Sequence, residues 1–231
     1  VTTAQLADFA DVLRRLWRGE TIVNYDGPLG EYPILFLDSE FREDIRLALV
    51  GFGPRTLCLG GALFDDVILH TYFTPETLAR CVRAVHEGAE RAGRDPAEVR
   101  LWSCLATVGD HLAEELRLRK TVGRLATYLQ GYGDLLVATN DWDPAVLQRF
   151  RESPVVHSVL GAIDAKATVA QLEQIAELIP DEWLAPAATG SPEQCAGRIR
   201  EELALGADRV ILHGANPDEL APILDAYRSV V

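Results

Sequence analysis

The feature that most narrows the folds open to this chain is a unit that occurs twice. Asp66-Val67-Ile68-Leu69-His70, a loop, and Pro75-Glu76-Thr77-Leu78-Ala79 are echoed by Asp208-Arg209-Val210-Ile211-Leu212-His213, a loop, and Pro217-Asp218-Glu219-Leu220-Ala221. In each copy an unbroken Val/Ile/Leu run ends on a histidine and leads into a helix opened by proline and acidic residues. Proline suits the first helical position, and an acid there meets the positive end of the helix. Strands without polar alternation bury both faces, which is what parallel strands flanked by helices require. The expected class is α/β with a parallel sheet.

The same alternation extends along the chain. Residues 46–50 read as a strand ending on Gly51-Phe52-Gly53-Pro54, with a helix over 55–62. Residues 66–70 are the second strand, 100–106 the third and 209–213 the fourth. Helices are expected over 3–18, over 75–91 with Thr74 as N-cap and Gly93 past the end, from Ser191 to Gly206, and over 217–230. Residues 24–33 are dense in turn formers and read as a surface loop or short hairpin. Between the third and fourth strands, residues 111–184 read as a mostly helical insertion, with starts at Asp143-Pro144 and at the capping box formed by Thr168 and Gln171. About four strand–helix units can be counted, where a complete (β/α)8 barrel has eight and usually about 250 residues. The expectation for residues 1–231 is therefore a single domain comprising about the C-terminal half of a TIM barrel. The sequence has no methionine, and its first helix follows no strand, so the chain reads as a fragment.

Charge and composition exclude several functions. Thirty-five acidic against 22 basic residues give a net charge of −13, which opposes nucleic-acid phosphates and anionic lipid. No run approaches the ~20 apolar residues of a membrane span, and residues 1–10 lack a secretory pattern, so a cytoplasmic protein is expected. Cys58, Cys81, Cys104 and Cys195 form no C-x-x-C pair and read as small buried hydrophobes. No H-E-x-x-H or H-x-H pattern supports a metal site, and G-x-S-x-G is absent.

In parallel α/β folds ligands bind beyond the carboxyl ends of the strands. That rule singles out Gly51-Phe52-Gly53-Pro54-Arg55-Thr56, where glycines admit a ligand to the backbone, a helix begins, and Arg55 and Thr56 can donate to phosphate oxygens. The same residues could equally form a plain strand-to-helix turn with an exposed arginine. His70 and His213 hold matching strand-end positions, from which an imidazole could donate to a cofactor or act as acid or base. Alternatively, each could bond a neighbouring carbonyl and end its strand. His86, His111 and His157 read as surface residues. Of Trp102 and Ser103, one must face inward, and a core tryptophan is expected. Asp65 and Asp66 precede a strand at the end where barrel residues serve stability.

Three segments carry a family resemblance: RLALVGFGPRTLCLGGALFDDVILH (46–70), AERAGRDPAEVRLW (89–102) and SPEQCAGRIREELALGADRVILHG (191–214). Together they resemble the C-terminal half of the luciferase-like monooxygenases over nearly the whole chain. GYGDLLVATNDWDPAVL (131–147) and PDEWLAP (180–186) resemble the branch of coenzyme F420-dependent oxidoreductases. The resemblance implies that Val50, Gly51, Phe52, Gly53, Pro54, Arg55 and Thr56 form the loop that binds the cofactor phosphate. It also places His70 and Thr71 beside the cofactor. Phe52 departs from the family, where a small residue is usual. The implied chemistry is hydride transfer between an organic small-molecule substrate and C5 of the deazaflavin F420, or alternatively N5 of FMN. Most residues gripping the reactive ring belong to strands before this segment, so no catalytic residue is assigned. The competing expectation is a non-catalytic half-barrel that binds a phosphorylated ligand. In either case open strand edges predict a homo-oligomer, most simply a dimer.

Overall fold

The computed structural model describes residues 1–38, 40 and 45–229. The chain divides into two compact units, Val1–Ile68 with Arg83–Leu101, and Leu69–Val82 with Trp102–Val231.

The first unit opens with α1 (Thr3–Trp17), which starts where Thr2 and Gln5 cap each other reciprocally. The turn-rich segment after it is an antiparallel hairpin of β1 (Ile22–Gly27) and β2 (Gly30–Leu35), the second of the two forms expected there. Next come β3 (Ala48–Val50), α2 (Pro54–Leu63) and β4 (Asp66–Ile68), with β3 and β4 parallel. Both strands are shorter than the apolar runs that announce them. Arg46, expected in the strand, instead pairs with Asp66 at 2.7 Å. Asp65 accepts from the Leu47 amide at 2.7 Å and from Arg14 at 3.0 Å. The acidic pair thus holds the amino-terminal ends of the strands, the stabilising role expected of it. Ala10, Leu49 and Phe64 form the buried centre.

The helix α3 (Pro75–Arg91) begins in the second unit and ends in the first. Thr74 Oγ1 accepts from the Thr77 amide at 3.2 Å, confirming the cap, and Gly93 takes φ +72° just past the helix end. A short 3-10 turn (Pro96–Glu98) then leads into β5 (Arg100–Gly109), three residues longer than the apolar run suggested.

The insertion is helical as expected: α4 (Glu114–Leu118), a π-helical turn (Arg119–Gly123), α5 (Arg124–Asn140), α6 (Pro144–Glu152), α7 (Pro154–Ser158), α8 (Ile163–Lys166), α9 (Val169–Ala176) and α10 (Asp181–Leu184). Asp143 caps α6, and Thr168 with Gln171 caps α9. Trp142 and Trp183 stack at 4.6 Å between ring centres, with Trp183 buried.

The strand count requires a correction. A strand not foreseen, β6 (Ala188–Gly190), follows the insertion and runs parallel to the end of β5, with Val108 opposite Thr189. Its Ala-Thr-Gly sequence has no apolar run to announce it, so the parallel strands number five rather than four among the described residues. After α11 (Pro192–Ala204), β7 (Arg209–His213) pairs in parallel with β5 from Trp102 to Ala106. The last helix, α12 (Pro217–Arg228), carries a capping box from Asn216 to Glu219; the expected end at Val230 lies outside the described residues. Leu105, Ala188, Cys195, Ile199 and Ile223 form a core of this unit. Cys81 and Cys195 are buried, whereas Cys58 and Cys104 are only half-buried.

A second correction concerns the pair in β5. Ser103, not Trp102, is the buried member, and its hydroxyl donates to the carboxylate of Glu202 on α11. Burial pushes the Glu202 carboxyl upward, while the Ser103 bond and Arg198 partly offset that shift. Alternation along β5 puts the two side chains on opposite sides, and the one on the side of Glu202 is the small hydroxyl, whose proton meets the carboxylate.

Candidate functional site

In the second unit, His70 and His213 meet two tyrosines that the sequence did not single out. His213 is the last residue of β7, and His70 stands two residues beyond β4. Tyr128 and Tyr132, one turn apart on α5, stack at 5.4 Å between ring centres. His70 meets both edge-on, at 4.8 and 5.1 Å.

The hydrogen bonds assign the protons. His70 Nδ1 lies 3.1 Å from the Thr71 carbonyl, which can only accept, so Nδ1 carries the hydrogen. In the neutral ring Nε2 must then accept, and Tyr132 Oη, 2.7 Å away, donates to it. Burial lowers the His70 pKa; the Thr71 carbonyl opposes this, and the nearby His213 adds to it. Burial also raises the Tyr132 pKa, with Tyr128 adding to the shift, so the phenol keeps its proton. The result is an uncharged, directional chain from phenol to imidazole to carbonyl.

His213 behaves differently. Its Nε2 lies 3.5 Å from Tyr128 Oη, the outer limit of a hydrogen bond. Its Nδ1 is buried with no hydrogen-bond partner. Burial first and Arg124 second hold its pKa below the usual value. Of the two expectations for these histidines, the carbonyl contact is realised at His70 and not at His213.

The backbone around His70 is held under strain. Tyr72, a buried residue, takes φ +62°, a left-handed conformation that large side chains rarely adopt. Asn140, at the end of α5, holds it there: its Nδ2 donates to the Tyr72 carbonyl at 2.8 Å, and its Oδ1 accepts from the Thr74 amide at 3.2 Å. The Tyr72 hydroxyl donates to the Thr121 carbonyl at 3.1 Å, within the π-helical turn. Tyr132 itself sits at a break in α5, with φ −150° and ψ 37°. Such distortions cluster where a side chain must be aimed, and each costs about 1–3 kcal/mol. Lys120 ties the turn to the segment after β7, donating to the Gly214 carbonyl at 2.6 Å and pairing with Glu219 at 2.9 Å.

The glycine turn belongs to the first unit. Gly51 donates to the Ile68 carbonyl at 3.2 Å, and Gly53 is the N-cap of α2 without a side-chain cap bond. Pro54 takes the first helical position, leaving the first-turn amides of Arg55 and Thr56 without helical acceptors. The two glycines serve different ends. A Cβ at Gly51 would press on Thr56 at 3.0 Å, whereas one at Gly53 would meet nothing within 4 Å. Val50, Pro54 and Arg55 are exposed, Phe52 and Thr56 half-buried, and Thr71 buried. An uncapped helix start beside an exposed guanidinium fits an oxyanion, and a neutral phenol–imidazole pair fits polar ring atoms without net charge.

No group of three or more metal-ligating side chains occurs among the described residues, and no described helix is long and apolar enough to cross a membrane.

The sequence pattern of the luciferase-like monooxygenases matches residues 2–209. The chain belongs to that family. A similar curated protein is 5,10-methylenetetrahydromethanopterin reductase of Methanolobus tindarius, 25% identical over 171 residues that cover 73% of this chain and 48% of that protein. The chain thus spans about half the length of that relative. Coenzyme F420-dependent tetrahydromethanopterin reductase of Methanopyrus kandleri is similar in structure, with a TM-score of 0.74 at 18% identity, covering 97% of this chain and 61% of that one. An F420-dependent secondary alcohol dehydrogenase gives 0.66 at 19% identity, covering 99% and 61%. The long-chain alkane monooxygenase LadA gives 0.58 at 15%, covering 100% and 56%. The luciferase-like barrel fold expected from sequence is therefore the fold of this family member.

Tyr128, Tyr132, Tyr72 and Asn140 were missed as site residues. The available signal was the four-residue spacing of the tyrosines and the two glycines, Gly131 and Gly133, flanking the second.

Proposed function

We propose that the chain is part of an oxidoreductase that transfers a hydride between an organic small molecule and a deazaflavin of the F420 type, with FMN as the alternative. Family membership supports the reaction class, and the names of the two F420-dependent relatives support the deazaflavin. The observation that carries the proposal is the neutral Tyr132–His70 pair, bonded at 2.7 Å and held in one tautomer by Thr71. The cofactor, when bound, supplies the hydride chemistry. The protein's part is to orient, exclude water and hold protons. Tyr132 keeps its proton and directs it to His70, and His70 stays uncharged; neither adds a net charge to a site where charge develops during transfer. The Gly51–Thr56 turn is assigned separately to an oxyanion, such as the cofactor phosphate.

Spectral titration of the full-length protein with F420 and with FMN tests the reading, followed by turnover with candidate alcohols and reduced pterins. A saturable spectral change with F420, accompanied by turnover, supports it. Turnover should fall by about tenfold in Tyr132→Phe, the equivalent of losing the one hydrogen bond that orients His70. Binding without redox change would favour a non-catalytic module, and binding of neither cofactor would remove the assignment.

A further inference from the structure

A cavity of about 260 Å3 opens in the second unit where β5 and β6 end side by side. Val108 and Leu118 supply apolar wall, Thr189 and Gly190 the strand end, and Glu114 and Arg117 the charged side chains. It lies at the carboxyl ends of parallel strands, the side on which such folds place ligands. Its volume is below the roughly 300–1,000 Å3 of pockets for drug-sized molecules, which limits it to something small.

Arg117 is the cationic wall of the cavity. Its Nε is buried and has no hydrogen-bond partner. Nearby arginines on the insertion have acceptors for their terminal nitrogens: Arg119 donates to the Asp164 and Ala167 carbonyls at 3.0 and 3.1 Å, and Arg124, whose Nε is likewise buried and unpartnered, pairs with Asp164 at 3.1 Å. A guanidinium donor withdrawn from water without an acceptor is unfavourable, and a planar carboxylate satisfies it through two parallel bonds. Glu114, exposed on the same wall, sets the charge limit: it repels a dianion more strongly than a monoanion. The apolar surfaces of Val108 and Leu118 add a preference for a short hydrocarbon body.

We infer that this cavity is a binding site for a small organic monocarboxylate, held by Arg117 with its apolar part between Val108 and Leu118. The inference stands independently of the cofactor assignment. The site would take a carboxylate-bearing substrate, product or effector.

The test is titration of the full-length protein with sodium butyrate and, separately, with inorganic phosphate at constant ionic strength. Calorimetry and the NMR resonance of the Arg117 Nε–H provide the readouts. The expected result is saturable butyrate binding that shifts this resonance, with phosphate binding more weakly. Arg117→Lys keeps the charge but loses the fork and should weaken butyrate by about tenfold. Thr189→Trp fills the cavity while leaving Arg117 in place and should abolish binding. Thermal unfolding of both variants checks that they fold. Absence of saturable butyrate binding, undiminished binding in both folded variants, or phosphate binding as tightly as butyrate would each overturn the inference.

Discussion

At the scale of single residues, the histidines show how one sequence feature acquires two environments. His70 and His213 occupy matching places in the repeated unit, yet one is bonded at both ring nitrogens and the other has an unpartnered Nδ1. Both pKa values are lowered, with burial as the leading cause. A histidine held neutral in the folded state binds fewer protons than the unfolded chain, so its stabilising contribution is present above the ordinary value of 6.5 and is lost as pH falls below it. Urea unfolding from neutral to mildly acidic pH should therefore show declining stability, with a shallower decline in His70→Gln. An unchanged slope would show that His70 is not the titrating group. At Arg55, exposed beside the uncapped start of α2, Arg55→Ala should weaken a phosphate-bearing cofactor by about 1.5–3 kcal/mol if the guanidinium meets the phosphate. Equal affinity in calorimetry would remove Arg55 from the site. Sequence alone located both groups because glycine turns and strand-end histidines are local patterns. It could not locate Tyr132, whose partner lies 62 residues away, or Asn140, 68 residues from the carbonyl it clamps.

At the scale of elements, two glycines govern how α2 meets the later part of α3. A Cβ at Gly61 would strike the Val85 carbonyl, and one at Gly88 would strike the Cys58 carbonyl. Both obstacles are backbone, so no side-chain rotation relieves them. Gly61→Ala and Gly88→Ala should each lower stability by about 3 kcal/mol, because overpacking against backbone exceeds the ~1 kcal/mol that alanine contributes to a helix. At Gly197 in α11 a Cβ would meet nothing within 4 Å, so Gly197→Ala should raise the melting temperature instead. Differential scanning calorimetry of the three variants checks both signs. Helix starts were the most legible elements, since a capping box joins residues three apart, as at Thr168 and Gln171. The strand β6 was hidden because its three residues acquire strand geometry through pairing with β5, not through their own propensity.

At the scale of the whole molecule, the prediction concerns unsatisfied edges. Among the described residues β3 pairs with β4 alone, and Val50 at its end is 63% exposed. The hairpin presents Val23 and Ile34 at 63% and 50% exposure, and Phe36, one residue past β2, is 66% exposed. Free strand edges and clustered apolar side chains favour association. Sedimentation velocity on residues 1–231 should therefore show dimers or larger species, and a monodisperse monomer would refute this. Five parallel strands, rather than the eight of a complete barrel, make the expectation specific.

The amino-acid sequence by itself determined the alternation of strands and helices, the helix caps, the helical insertion and the family, because each depends on residues a few positions apart or on motifs read along the chain. Only the tertiary structure decided that Ser103 rather than Trp102 is buried, that two tyrosines on α5 flank His70, and that Arg117 lines a cavity without a partner at Nε. Hydrogen-bond satisfaction and close packing depend on which distant segments share a space, and local periodicity carries no information about that.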